Sequence, residues 1–324
     1  MGGIECQALR KVYGAVQALD GVSFAVDTGK VLALLGSNGS GKTTTVRILT
    51  TLSTADSGSA RVAGKDVVRE AADVREAIGL TAQETVIDRF LTGEEHLGLI
   101  AQLRHVPRHR RGQEVATLLA ELDMGEASRA RVGGYSGGMR RRLDIAASFI
   151  GQPAVLFLDE PSNSLDPHSR SRLWRAIRDR ADDGATVLLT TQYMEEADAL
   201  ADHVVVLATG RVIATGTPSE LKDEIRGRVV ELTLANRGQE EKAAAILQAD
   251  DIRPSTGESV EVLNFVLLRS GPPLLAILQR LQAGGVNVSD VIVRRPTLDE
   301  AFLHLTKKAE VIPEPETEPL RATP

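Results

Sequence analysis

Residues 31–43 read VLALLGSNGSGKT, an apolar run, a glycine-rich turn, then a lysine and a threonine that open a helical pattern. Gly36-Ser37-Asn38-Gly39-Ser40-Gly41-Lys42-Thr43 fit G-x-x-x-x-G-K-[ST] between a strand and a helix, the context that separates this motif from a chance glycine-rich turn. The glycines let the backbone fold its N–H groups around phosphates, and Lys42 reaches the same charges. Thr43 offers a hydroxyl to a divalent cation, and Thr44 continues the first turn. A helix start favours an anion because its first N–H groups lack partners and its dipole is positive there. A strand feeding such a turn requires a helix-covered α/β core.

The rest of the chain supplies one. VLALL (31–35), IGLTA (78–82), AVLFL (154–158), TVLLTT (186–191) and HVVVL (203–207) are apolar without a period of two, as in strands buried on both faces. IECQALRKVY and VSFAV near the start look antiparallel, and 93–150 reads as a helical insertion with three helical stretches. The sequence predicts a nucleotide-binding domain over 1–223. A small α+β domain of βαββαβ, ferredoxin-like type follows over 224–308 if DIRPS holds a short strand. The Pro- and Glu-rich stretch 309–324 is expected to be disordered.

Two domains also suit 324 residues that are 42% hydrophobic and 25% charged. A formal net charge of −6 argues against a nucleic-acid partner held by bulk electrostatics. The one cysteine, Cys6, permits no intrachain disulfide and fits a reducing compartment. MGGIECQALRK has no apolar signal region, and Cys6 stands where a myristoylation signal through Gly2 needs Ser or Thr. No apolar run approaches the roughly 20 residues that span a bilayer.

Two further stretches carry chemistry. In VLFLDEP, Asp159 emerges at the carboxyl end of a buried strand, placed to hold Mg²⁺ through water, and Glu160 follows it, placed to polarise an attacking water. In YSGGMRRRLDIA, Ser136, Gly137 and Gly138 open a helix with a hydroxyl and two bare amides, a second phosphate site; an ordinary Ser N-cap is the simpler reading, and both can hold at once.

The glycine-rich turn, YSGGM and LFLDEP, in that order, resemble the nucleotide-binding subunit of an ATP-binding cassette transporter. The resemblance implies ATP and Mg²⁺ as cofactors. It also implies a head-to-tail pair in which Ser136, Gly137, Gly138 and Met139 of one copy close over ATP held by the other. Tyr13 matches an aromatic residue that stacks on adenine, and Gln83 one that joins Mg²⁺ and water to the helical insertion. Ser164, Leu165 and Asp166 match a loop along the dimer seam. Gln192 stands where most of the family has a histidine; its amide can donate to a phosphate but takes no proton at neutral pH, so hydrolysis leans on Glu160. That glutamine, the YSGGMRRRLDIA spelling and RRPTLDEAFLHLT resemble the daunorubicin/doxorubicin-resistance branch. That branch implies an ATPase that energises drug export through a separate membrane permease, held peripherally at the cytoplasmic face of the membrane. The rivals are a soluble cassette ATPase acting on nucleic acid or ribosomes and a nucleotide-gated regulator. The first usually shows paired cassettes, long coiled coils or zinc cysteines, none of which occurs here.

Two charge clusters remain. RHVPRHRR, Arg104 to Arg111, reads as a solvated loop between two helices, with anionic headgroups or a membrane partner as the alternative contact. Arg140, Arg141 and Arg142 oppose the dipole of the helix they open, which points to a compensating anion or acidic partner, either nucleotide or the second copy. Near the end, Thr297 is placed to cap a helix beginning with Asp299 and Glu300, and nothing there is catalytic.

Overall fold

The computed structural model describes residues 3–81, 87–249, 252, 254–256, 261–268 and 271–311, with backbone only at 309–311. The chain divides into two compact units, Met1–Pro218 and Ser219–Pro324, slightly before the boundary expected after residue 223.

The first unit holds two sheets. One is antiparallel, with β1 (Ile4–Tyr13), β2 (Val16–Val26), β4 (Ser57–Val62) and β5 (Lys65–Asp66) in the order β2-β1-β4-β5. The other has the order β10-β9-β3-β8-β7-β6. In it β3 (Val31–Leu35), β6 (Ile78–Thr81), β7 (Val155–Asp159), β8 (Thr186–Thr191) and β9 (His203–Ala208) run parallel, and β10 (Arg211–Gly216) returns antiparallel to β9. Every residue of β3, β7 and β8 is buried, which is why these runs show no alternation. Leu32, Leu34, Phe157 and Leu188 of this sheet share one core with Ile48 and Leu49 of α1 (Lys42–Leu49) and with Ile4 and Val62 of the first sheet.

A short helix, α2 (Ala71–Ala77), precedes β6. The helical insertion comprises α3 (Gly93–Leu103), α4 (Arg108–Glu121) and α5 (Gly137–Phe149). Its first helix starts at a capping box: Glu95 N–H donates to Thr92 Oγ1 at 3.2 Å and Thr92 N–H to Glu95 Oε2 at 2.8 Å. The loop expected over Arg104–Arg111 is half helix. Arg108 already belongs to α4, which begins directly after Pro107 at the N-cap. Arg104 instead serves the preceding element, donating to the carbonyls of Arg75 and Glu76 in the last turn of α2 and to Ile78 just past it, at 3.3, 3.4 and 2.5 Å, where a cation suits the helix dipole. After β7 and β8 come α6 (Pro167–Asp182) and α7 (Met194–Leu200), and α8 (Pro218–Asp223) lies at the junction of the units.

The second unit runs β11 (Gly227–Leu234), α9 (Glu240–Gln248), β12 (Ser255–Thr256), β13 (Val262–Leu268), α10 (Leu274–Ala283), β14 (Val288–Arg294), α11 (Leu298–Val311). Its antiparallel sheet has the order β12-β13-β11-β14, the split arrangement of a ferredoxin-like unit, closed over Val230, Leu232, Leu247, Phe265, Ile277 and Leu281. Thr297 and Glu300 exchange the two bonds of a capping box at the start of α11. That helix reaches Val311, into the stretch expected to lack structure, because Lys, Ala and Glu sustain a helix until Pro313 approaches. The rest of that stretch lies outside the described residues.

Candidate active site

In open α/β sheets ligands bind at the carboxyl ends of the strands, and three neighbouring strands converge there. Leu35, the last residue of β3, pairs with Thr191 of β8, and Asp159, the last of β7, pairs with Thr190. The turn after β3, the Asp159-Glu160 pair and Gln192 after β8 therefore share one edge.

The turn has little room for side chains. A Cβ on Gly36 would lie 2.3 Å from Ser40 Oγ and 2.5 Å from the Leu207 carbonyl, and one on Gly41, at φ 108°, 2.7 Å from the Ala18 carbonyl. Ser37, Asn38 and Gly39 form its exposed tip, while Ser40 is buried with no hydrogen-bond partner for its hydroxyl among the described residues. Lys42 is buried and donates to the carbonyls of Gly36 at 2.7 Å and Ser37 at 3.0 Å. Burial pulls its ammonium below the ordinary lysine value, and the charges of Glu160 and Asp159 pull it back up. No side chain caps α1, so the first-turn amides of Lys42, Thr43 and Thr44 are left without intrahelical acceptors, as an anion requires. Thr43 is exposed at that turn.

Opposite, Asp159 is buried and accepts from the Thr190 hydroxyl. Glu160 adopts φ 50°, a left-handed conformation costly for a non-glycine residue. It is held there by its own N–H donating to the Thr190 carbonyl at 2.9 Å and Thr190 Oγ1 at 3.2 Å. Two side-chain amides occupy its carboxylate: Gln192 Nε2 donates to Oε1 at 2.6 Å and Asn163 Nδ2 to Oε2 at 3.2 Å. Arg141 supports the same turn from behind, donating to the carbonyls of Asp159, Glu160 at 3.0 Å and Pro161 at 3.4 Å.

These contacts correct the expectation for the three arginines. Arg140 donates to the Tyr135 carbonyl at 2.9 Å and Arg142 to those of Leu122 at 3.1 Å and Asp123 at 3.0 Å, while Arg141 pairs with the Asp144 carboxylate at 3.5 Å and Arg142 with that of Asp123 at 3.9 Å, so carbonyls and acids of the same chain meet the charge. The helix they open is α5, capped by Ser136, whose hydroxyl accepts from Met139 N–H at 3.2 Å. Ser136 and Gly137 are exposed, and a Cβ on Gly138 would lie 3.1 Å from the Ser164 carbonyl. Tyr135 is instead buried in the insertion, its hydroxyl donating to the Ala127 carbonyl at 2.6 Å. In the neighbouring loop Ser164 has φ 64° and Leu165 is buried. Asp166 caps α6 by accepting from Ser169 N–H at 2.9 Å and Oγ at 2.6 Å, bonds that hold its carboxyl at about 2. Tyr13, 46% exposed, ends β1 with Lys11 Nζ 5.3 Å from its ring centroid and its hydroxyl 3.3 Å from Ser53 Oγ. Gln83 lies outside the described residues.

Residues 19–163 match the family model described as ABC transporter. A daunorubicin resistance ATP-binding protein of Streptomyces coeruleorubidus is 44% identical over 304 residues, 94% of each chain. The chain belongs to the ATP-binding cassette transporter family. A daunorubicin/doxorubicin resistance ATP-binding protein of Streptomyces peucetius is 41% identical over 94% of this cassette chain and 92% of its own. A solved ATP-binding subunit of an ABC transporter superposes with a TM-score of 0.64 at 28% identity, covering 68% of this chain and 92% of that one. The cassette fold and the mixed sheet core agree with the sequence expectation. Three residues of this strand edge escaped sequence reading: Asn163, Thr190 and, in its role behind Glu160, Arg141. Only Thr190 left a trace, as a polar end to an apolar strand.

Proposed function

We propose that the chain is the ATP-hydrolysing subunit of an efflux transporter for a drug- or antibiotic-like cargo, working as a pair of copies on a separate membrane permease. The observation that carries this reading is the Glu160 carboxylate, held by the Gln192 and Asn163 amides on the strand edge where buried Lys42 feels its charge. ATP's phosphates fit the turn and the uncapped start of α1, with the ring of exposed Tyr13 available to adenine.

The donor set suits Mg²⁺, a hard ion that keeps several waters and needs only one or two carboxylates beside phosphate oxygens. The Thr43 hydroxyl and the Asp159 carboxylate, at the motif positions on this edge, would hold the ion, and the family resemblance adds Gln83, which lies outside the described residues. An ion held there would neutralise charge on the phosphates. In hydrolysis the water oxygen bonds to the γ-phosphorus as the bond to the β–γ bridging oxygen breaks, and Glu160 takes the water's proton. Lys42 offsets the negative charge that the leaving oxygen gains. Gln192 orients Glu160 and donates to the γ-phosphate without exchanging a proton.

Neither copy closes the site alone in this reading. The start of α5, Ser136 to Met139, with Ser136 and Gly137 exposed, covers the ATP of the other copy, and Ser164, Leu165 and Asp166 run along the seam. Among the described residues no helix is long and apolar enough to cross a membrane. In the export reading, drawn from the drug-resistance relatives, the chain works from the cytoplasmic face through its permease, with the helical insertion as the coupling surface. The cargo is read from the drug-resistance relatives, which cover nearly the whole chain.

Replacing the base tests the chemistry. Glu160→Gln is expected to lower kcat by at least about 10²-fold while ATP binding survives. Lys42→Ala is expected to lose the thermal stabilisation that ATP gives, about 2.7 kcal/mol at a hundred times Kd. Undiminished hydrolysis by Glu160→Gln contradicts the assignment. In cells carrying the permease, the wild type lowers drug accumulation and Lys42→Ala does not; equal accumulation contradicts the export role.

A further inference from the structure

Glu196 is 0% exposed, and the hydrolytic scheme above makes no use of it. It lies on α7, one helical turn past Gln192. Its Oε1 accepts from the Ser162 hydroxyl and from the Trp174 indole N–H at 3.1 Å, and the same N–H lies 3.0 Å from Ser162 Oγ. Ser162 is also buried, in the connection between β7 and α6, two residues past Glu160. Trp174 sits on α6, the helix that Asp166 caps. One triad, with Glu196 and Ser162 buried and Trp174 half-buried, thus joins the connection that carries Glu160, the helix that follows it and the helix that follows Gln192.

A carboxyl is an expensive way to fill a core. An apolar side chain of similar shape packs there without desolvation, so a buried acid held through Oε1, with no hydrogen-bond partner for Oε2 among the described residues, points to a demand on geometry. Burial pushes the Glu196 carboxyl up from its ordinary value, opposed by the Ser162, Thr191 and Trp174 side chains and by the charge of Arg170. The demand is visible nearby. Glu160 sits in a left-handed conformation, and its 2.6 Å contact with Gln192 crosses between two separate connections. Small shifts of either connection break such a contact.

We propose that Glu196 is a positioning residue for hydrolysis: with Ser162 and Trp174 it locks the β7–α6 connection to α7, so that Glu160 and Gln192 stay in register. The proposal rests on reading Glu160 as the base. It assigns Glu196 no contact with nucleotide, so its loss acts on turnover and not on ATP binding.

The purified full-length chain supplies the test, because Trp174 is its one tryptophan and its emission reports the triad directly. Ser162→Ala removes one hydroxyl at little risk to folding; Glu196→Ala and Glu196→Gln complete the set. Ser162→Ala and Glu196→Ala are expected to lower kcat about tenfold with KM for ATP–Mg²⁺ within about twofold of the wild type. Glu196→Gln, which keeps the Oε1 acceptor, is expected to recover most of that loss, and Trp174 emission is expected to shift in Ser162→Ala. Wild-type kcat in both alanine variants overturns the proposal, as does a fall in kcat matched by a rise in KM, or a glutamine variant no better than alanine. Activity surviving in Glu160→Gln would instead remove the base assignment, a separate failure read from a separate variant.

Discussion

The Gln192 side-chain amide donates to Glu160 Oε1 at 2.6 Å, linking the turn after β8 to the turn after β7. A histidine in this place would bring a group that titrates near neutrality; an amide does not. The pH–rate profile should therefore show no limb near pH 6.5 that depends on residue 192, and Gln192→His should introduce one. Gln192→Ala should lower kcat by about tenfold, leaving Glu160 in place but less restrained. A limb near neutrality in the wild type that vanishes in Gln192→Ala would show that this position does exchange a proton.

Asp166 gives a second, acid-range expectation. Its bonds from Ser169 hold the carboxyl at about 2 against an ordinary 3.8. A folded value below the unfolded one means the ionised cap favours folding. That contribution is complete above about pH 5 and is lost progressively as pH falls past 3.8 and through the folded value of about 2. Urea midpoints of the wild type and Asp166→Ala should differ most at pH 6, and the gap should shrink to about half at pH 3. A gap that persists unchanged at pH 3 would mean that the charge plays no part.

Cys6 gives the opposite sign. Burial pushes its thiol from 9.0 up to about 12, because a thiolate finds no solvation between β1 and its neighbours. Folding thus favours the neutral thiol, fully below 9.0 and less and less as pH rises towards 12. The native chain at pH 8 should leave a thiol reagent unreacted for hours, and denaturant should release one equivalent. Fast native labelling would contradict the packing described for β1.

The glycine-rich turn, Asp159 and Glu160 were legible because their chemistry is local: amides that face phosphates need glycine, and a catalytic carboxylate needs the end of a buried strand. Contacts across the sheet were not. Nothing in YSGGMRRR says that Arg141 reaches the carbonyls behind Glu160, and the same charges read equally well as awaiting an outside anion. Nor does the Glu195-Glu196 pair show which residue faces inward, since a first helical turn welcomes acids on either face. Over Arg104–Arg111 charge density outweighed the proline at the N-cap of α4, and solvated basic loops and basic first turns share a composition.

The central claim is that the α5 start of one copy closes over ATP bound to the other, and the most direct test is the solution mass of Glu160→Gln by light scattering. With saturating ATP and Mg²⁺ the mass should double relative to the nucleotide-free protein, and Ser136→Arg in the same background should keep it single. A Glu160→Gln chain that binds ATP yet stays monomeric, alone and with its permease, would contradict the shared site.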